Sequence, residues 1–229
     1  MNNFKKFGAV EKSAGAAGAE QLAKINALTL RELGADEVFV FRVAACDDQV
    51  DRDFERFPVE SLRELGEKLC GKTIIMDHEW SSKNQTARIF DAAVETEGGV
   101  SRLVLSAYML KNESTADAIA SIEGGILKEV SVACAMGRAV CGICGTDKVK
   151  NWCEHRPGSK YDGTTCVVDL LDVADAYEVS FVAVPAQPGA GVVKAYGGEG
   201  SGPGTETVPD AELERRKALA LLELEEKSL

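Results

Sequence analysis

The sequence contains no apolar run approaching the ~20 residues that a membrane span needs, which argues against a transmembrane protein. Its first stretch, MNNFKKFGAVEKSAGAAGAEQ, carries lysines but lacks the apolar segment of about 7 to 15 residues found in a secretory signal, so the chain is expected to stay in a cytoplasm. Positive charge is scarce. Against 37 acidic residues there are 26 Lys and Arg, a formal net charge of −11. Binding to nucleic acid depends on cations displacing counterions, so a nucleic-acid partner is not expected. The acidity fits either plain solubility or steering of a basic substrate. Histidine is almost missing, with only His78 and His155 in 229 residues, and few side chains are thus available as neutral-pH proton acceptors. Neither an HExxH helix nor a GxSxG elbow occurs; His78 and Glu79 run on into WSSK. An even cysteine framework is lacking too. The seven cysteines do not read as a secreted disulfide scaffold.

What is present reads as one folded body with tails. Residues 1–36 are Ala- and Gly-rich and then weakly helical through Leu22, Ile25, Leu28 and Leu33, a loosely attached N-terminal arm. EVFVFRVAAC, from Glu37 to Cys46, is apolar on both faces, as a doubly buried strand would be. Behind Pro58, Leu62, Leu65 and Leu69 fall at helical spacing and Gly71 ends the run. KTIIMDH reads as a strand, and QTARIFDAAVET and SRLVLSAYML read as a hairpin turning at EGGV. ESTADAIASIE predicts a second helix, with Ser114 and Thr115 as caps and Gly124 and Gly125 as the stop. EVSVACA, TCVVDLLDV and AYEVSFVAV supply further strands. The fold expected is α+β, mainly β: a closed or strongly curled antiparallel barrel of about seven strands with short flanking helices. The body spans 37–196, followed by a flexible linker at 197–210 and an amphipathic helix at 211–229 that includes Leu213, Leu221 and Leu224.

Within the body, 136–166 forms a cysteine-rich insertion. CGICG followed by NWCEH gives Cys141, Cys144, Cys153 and His155, a CxxC pair and a CxH pair. Three thiolates and an imidazole at this spacing suit a closed tetrahedral zinc knuckle, which would be structural because no coordination position stays open for a substrate. Cys166 offers an alternative fourth ligand, which would release His155. Cys46, Cys70 and Cys134 read as buried apolar fillers.

Taken alone, a histidine at the end of a strand and a serine inside one are ordinary structural residues. Their order along the chain carries more. EVFVFRVAACDDQVDRDFERF, GKTIIMDHEW, NQTARIF, AYML, IEGGILKEVSVA and YEVSFVAVPAQPGAGVVK, over roughly residues 37–194, together resemble the prohead (capsid maturation) protease family of tailed phages. The resemblance implies a serine endopeptidase with a herpesvirus assemblin-like fold. Position by position it implies His78 as general base, Ser131 as nucleophile and Glu178 as the third member that orients the imidazole. Glu178 also reads as a surface glutamate at a strand start. Assemblins use a second histidine as third member, and here only His155 could serve. Ser180 shares the strand face of Glu178 and is a rival nucleophile. Gly189, Gly191 and Arg138 are candidate oxyanion contributors.

The resemblance further implies a working place inside an assembling procapsid in the host cytoplasm. Scaffold and major capsid protein segments would be the substrates, with self-cleavage and homodimers besides; it is the net charge and the lack of a long apolar run that argue against nucleic-acid and membrane partners. It also favours His155 as a zinc ligand. The competing expectation is a scaffold-associated structural phage protein that keeps the fold without activity.

Overall fold

The computed structural model describes residues 17–192; the expectations for residues 1–16, for the linker at 197–210 and for the helix at 211–229 lie outside the described residues. α1 (Ala19–Asn26) precedes β1 (Val38–Asp47) and the short β2 (Glu55–Arg56). α2 (Val59–Leu69), β3 (Thr73–Met76), the hairpin of β4 (Ala87–Glu97) and β5 (Val100–Leu110), and α3 (Ala116–Glu123) follow. Then come β6 (Val130–Cys141), β7 (Lys160–Tyr161), β8 (Thr164–Thr165), β9 (Val168–Phe181) and β10 (Gly191–Val192). The β4–β5 turn falls at Gly98 and Gly99, with φ of 60° and 82°, a left-handed pair that suits a tight hairpin and that glycine adopts without steric cost.

The main sheet has eight strands in the order β10-β1-β5-β4-β3-β9-β2, with β6 on β9, while β7 and β8 form a separate two-stranded sheet. β6 runs antiparallel along β9 from Cys141↔Val168 to Val130↔Phe181. β2 and β3 pair with β9 in parallel at its two ends and therefore take its other edge. The expected closed antiparallel barrel is overturned. The sheet is mixed and open, and parallel pairing enters because the chain reaches β9 from β2 and β3 only by long excursions. It curls enough to stack Phe41 of β1 on Phe181 of β9, with centroids 6.1 Å apart. An isolated bridge, Glu129 to Gly191, touches the foot of β6 to β10, but closure requires a continuous staggered ladder.

Two further expectations change. TCVVDLLDV and AYEVSFVAV form one 14-residue strand, and β6 continues to Cys141 through the first residues of the expected insertion. Each strand supplies the backbone partners that the other needs, so the pair extends as a ladder instead of breaking at the Asp and Ala residues.

The core sits where the concave face of the sheet meets α2. Leu62, Leu65 and Leu69 are fully buried there against Ile74, Ile89, Leu103, Leu105 and Val179. Burial of each such leucine contributes about 1.5–3 kcal/mol. α2 is pinned to β9 by the Ser61 hydroxyl donating to Leu170 O (2.8 Å) and by Val173 N–H donating to Glu64 Oε2 (2.8 Å). On the other face, Val38, Val40, Phe90 and Tyr108 pack with Ile25 and Leu33, so β1 is buried on both sides as its composition predicts.

Candidate active site and metal cluster

β3 ends at Met76, and the next two residues, Asp77 (φ 51°) and His78 (φ 54°), both lie in the left-handed region. Side chains other than glycine enter it at a cost of order 1–3 kcal/mol each, so neighbouring bonds must hold the turn. Asp77 N–H donates to Phe181 O (2.9 Å), His78 N–H to Ser180 Oγ (2.9 Å) and Glu79 N–H to Met76 O (3.0 Å). Asn84 Nδ2 donates to Met76 O (2.9 Å) and Glu79 O (3.2 Å). The chain is thus turned back at the end of β3, bringing the imidazole to the side chains of β9.

There the His78 ring meets Glu178, with Nδ1 and Oε1 2.7 Å apart. The second oxygen, Oε2, accepts the Ser180 hydroxyl at 2.7 Å. Side-chain exposure is 38% for His78 and 4% for Glu178, so the ring reaches solvent while the carboxylate does not. An ionised carboxylate accepts only; at 2.7 Å it therefore selects the His78 tautomer carrying its proton on Nδ1 and leaves Nε2 with a lone pair.

Ser131 lies on β6 directly opposite Ser180, which pairs on its other side with Ile75 of β3. Cross-strand partners share a face, and so do residues two apart, which puts Ser131, Ser180 and Glu178 on one face of the sheet. That face is opposite the one carrying Ile74, Val130, Val179 and Phe181 into the core. Ser131 is half-buried, and no hydrogen bond joins its hydroxyl to the His78 ring among the described residues. His78, Glu178 and Ser180 are in contact, and Ser131 is one strand away.

Of the other sequence candidates, Ser180 is fully buried with its proton committed to Glu178, which removes it as a nucleophile. Arg138 sits seven residues along β6 from Ser131, roughly 20 Å away at strand rise. Its guanidinium pairs with Asp172 (Nε to Oδ2 2.5 Å, Nη2 to Oδ1 3.1 Å), so it is no oxyanion donor. Gly191 lies beside Glu129 at the foot of β6, and Gly189 lies against Asp47. Sequence reading missed an exposed aromatic pair next to the His78–Glu178 contact in the chain: Trp80, two residues after His78, and Tyr177, one residue before Glu178, with ring centroids 5.4 Å apart. Tyr177 is the extra residue of a bulge where the β6 register jumps from Ala133↔Glu178 to Cys134↔Ala176. No local sequence signal marks it.

The cysteine cluster forms at the far end of β6. The ligand atoms of Cys141, Cys144, Cys153 and His155 all lie within 4.8 Å of one another, a group that could hold a metal such as zinc. The turn between the first two closes by Gly145 N–H donating to Cys141 O (2.8 Å), at a φ of 71° that suits glycine. His155 Nδ1 is buried with no hydrogen-bond partner among the described residues, as fits a metal-ligating ring. Hydrogen bonds from the Thr146 side chain and backbone lower the Cys144 thiol to about 6, which favours the ligating thiolate. Lys148 Nζ donates to Cys153 Sγ (3.3 Å) and His155 O (2.8 Å), placing a cation beside a cluster of thiolates. The donor set therefore fits zinc.

Cys166, the alternative ligand, is fully buried with its sulfur 3.8 Å from that of Cys141. Burial raises its thiol, and the Cys141 thiol raises it further. His155 sits in the cysteine group, while Glu178 touches His78. Of the expected filler cysteines, Cys46 is buried and Cys134 half-buried, but Cys70 is exposed at the end of α2.

No family model matches the chain, and no curated protein or solved structure matches it. Among the described residues, no helix is long and apolar enough to cross a membrane.

Proposed function

We propose that the chain is a serine endopeptidase in which Ser131 attacks, His78 carries the proton and Glu178 holds the imidazole. The observation that carries this reading is the 2.7 Å contact between His78 Nδ1 and the buried Glu178 carboxylate, on the sheet face that also bears Ser131. With Nδ1–H donated to Glu178, Nε2 accepts the Ser131 proton as Oγ bonds to the scissile carbonyl carbon. The imidazolium, stabilised by Glu178, then protonates the departing amine, and a water activated by Nε2 releases the acyl group from Ser131. The missing Ser131–His78 hydrogen bond is compatible with a free enzyme, since such bonds often tighten only on substrate binding. The exposed Trp80–Tyr177 pair, carried on the same two segments as His78 and Glu178, offers an apolar surface for an extended peptide.

The order of the sequence segments supports prohead maturation as the setting: cleavage of scaffold and capsid-protein extensions, and of the chain itself, inside a procapsid in the host cytoplasm. Self-association belongs to the same setting. Zinc at Cys141, Cys144, Cys153 and His155 would act as a clip. It ties the end of β6 to the Gly-rich segment that follows, at a distance from the proton chemistry.

A second reading, an inactive scaffold-associated protein of the same fold, is favoured by that same unmade hydrogen bond. A fluorophosphonate probe separates the two without knowledge of the substrate. The peptidase reading expects covalent labelling of one peptide, the one containing Ser131, and its loss in Ser131→Ala and His78→Ala. An unlabelled wild-type chain that also leaves co-expressed scaffold uncut favours the inactive protein.

A further inference from the structure

We infer that Ser180 is a positioning residue that sets the orientation of Glu178 and the backbone of His78 with a single hydroxyl. A hydroxyl has one proton and two lone pairs. The Ser180 proton goes to Glu178 Oε2 at 2.7 Å, and one lone pair accepts His78 N–H at 2.9 Å. The first bond fixes the plane of the carboxylate, so that Oε1 faces His78 Nδ1. The second holds the left-handed backbone from which the imidazole springs. Among the described residues the Glu178 carboxylate is bonded by the His78 ring and by Ser180, so loss of the hydroxyl frees the carboxylate to rotate. Both ends of the Nδ1–Oε1 bond are thereby set by a residue that is fully buried between β3 and β6 and has no access to substrate.

A merely structural serine would matter only for stability; a positioning serine decides which imidazole nitrogen carries the proton. The inference rests on the peptidase reading only for its effect on rate, so the test has two arms. The chain has two histidines, and a nitrogen-15 imidazole spectrum of the full chain holds just two spin systems, with His155 as internal reference. In a Ser131→Ala background, which prevents self-cleavage, His78 is expected as the Nδ1–H tautomer with a slowly exchanging proton. Adding Ser180→Ala should mix the tautomers and speed that exchange at least tenfold, while Ser180→Thr, which keeps the hydroxyl, should restore both. Unchanged His78 tautomer and exchange in a folded Ser180→Ala chain overturns the inference, whatever the enzyme does.

In the second arm, Ser180→Ala with Ser131 intact should lower the maximal fluorophosphonate labelling rate about 100-fold with little change in probe affinity. Ser180→Thr should recover most of that rate. A full labelling rate in Ser180→Ala counts against the inference. Labelling that survives Ser131→Ala sinks the peptidase reading instead, and the imidazole spectra then still decide the role of Ser180.

Discussion

Replacing Glu178 by glutamine changes one atom and removes one charge, and the geometry dictates which way the new amide turns. Ser180 already accepts His78 N–H and donates to Oε2. If the amide nitrogen faced Ser180, the hydroxyl would accept twice and its proton would lose its acceptor, leaving a buried donor unpaired at about 1–3 kcal/mol. The amide oxygen therefore stays on Ser180 and the NH2 group turns to His78. Nδ1 must then accept, the ring proton moves to Nε2, and the imidazole cannot take a proton from Ser131. The lost carboxylate also removes the countercharge for the imidazolium. Together these should slow labelling of Ser131 by about 10⁴-fold, the scale seen when a triad carboxylate becomes an amide. That corresponds to about 5.5 kcal/mol of barrier. Stability should barely move, because removal of a buried charge offsets the lost charge-assisted bond, and the melting temperature should stay within about 3 °C. Labelling rates across a probe concentration series, with calorimetry on the same samples, check both statements. A Glu178→Gln chain that labels within threefold of the parent refutes the orienting role of the carboxylate.

Metal removal gives a second test: the purified chain should retain close to one zinc per molecule, and chelation should expose Cys141, Cys144 and Cys153 together to alkylation. Cys144→Ser and His155→Ala should each weaken zinc binding by more than the ~10–100-fold typical of lost outer-shell partners, measured by competition with a chromogenic chelator. At the surface, the Arg31 guanidinium and the Gly34 N–H hold the Glu37 carboxyl down from 4.5 to about 2. Because the folded value is depressed, its contribution to stability is complete above about pH 4.3 and fades as pH falls toward 2. A carboxyl carbon titration should find that low midpoint and see it rise in Arg31→Ala. Burial, with help from Glu55, pushes the Cys134 thiol up to about 11, so about one molecule in a thousand is thiolate there at pH 8. Its alkylation in the folded chain should rise about tenfold per pH unit from 8 to 10, and a flat profile would contradict this assignment.

The elements legible in the sequence are those whose signal is local. The Leu62, Leu65 and Leu69 stripe of α2, the doubly apolar β1 and the glycine turn of the β4–β5 hairpin each follow from spacing within a dozen residues. The cysteine group was legible for the same reason, since CxxC and CxH bring ligands together through short turns. Reading TCVVDLLDV and AYEVSFVAV as two strands failed because the Asp and Ala residues between them look like a break, and only the ladder with β6 shows that they are one.

Sequence alone therefore determined the chemical inventory: two imidazoles, thirteen serines, a compact set of candidate metal ligands and a formal net charge of −11. Tertiary structure decided which of these act together. It chose an open mixed sheet over a barrel, and it brought Glu178 to His78 across 100 residues of chain while leaving His155 with the cysteines. It also turned Ser180 from a rival nucleophile into the hydroxyl between them. The physical reason is that strand register and the left-handed turn at Asp77 and His78 are set by pairing between distant segments. No residue encodes such pairing by itself.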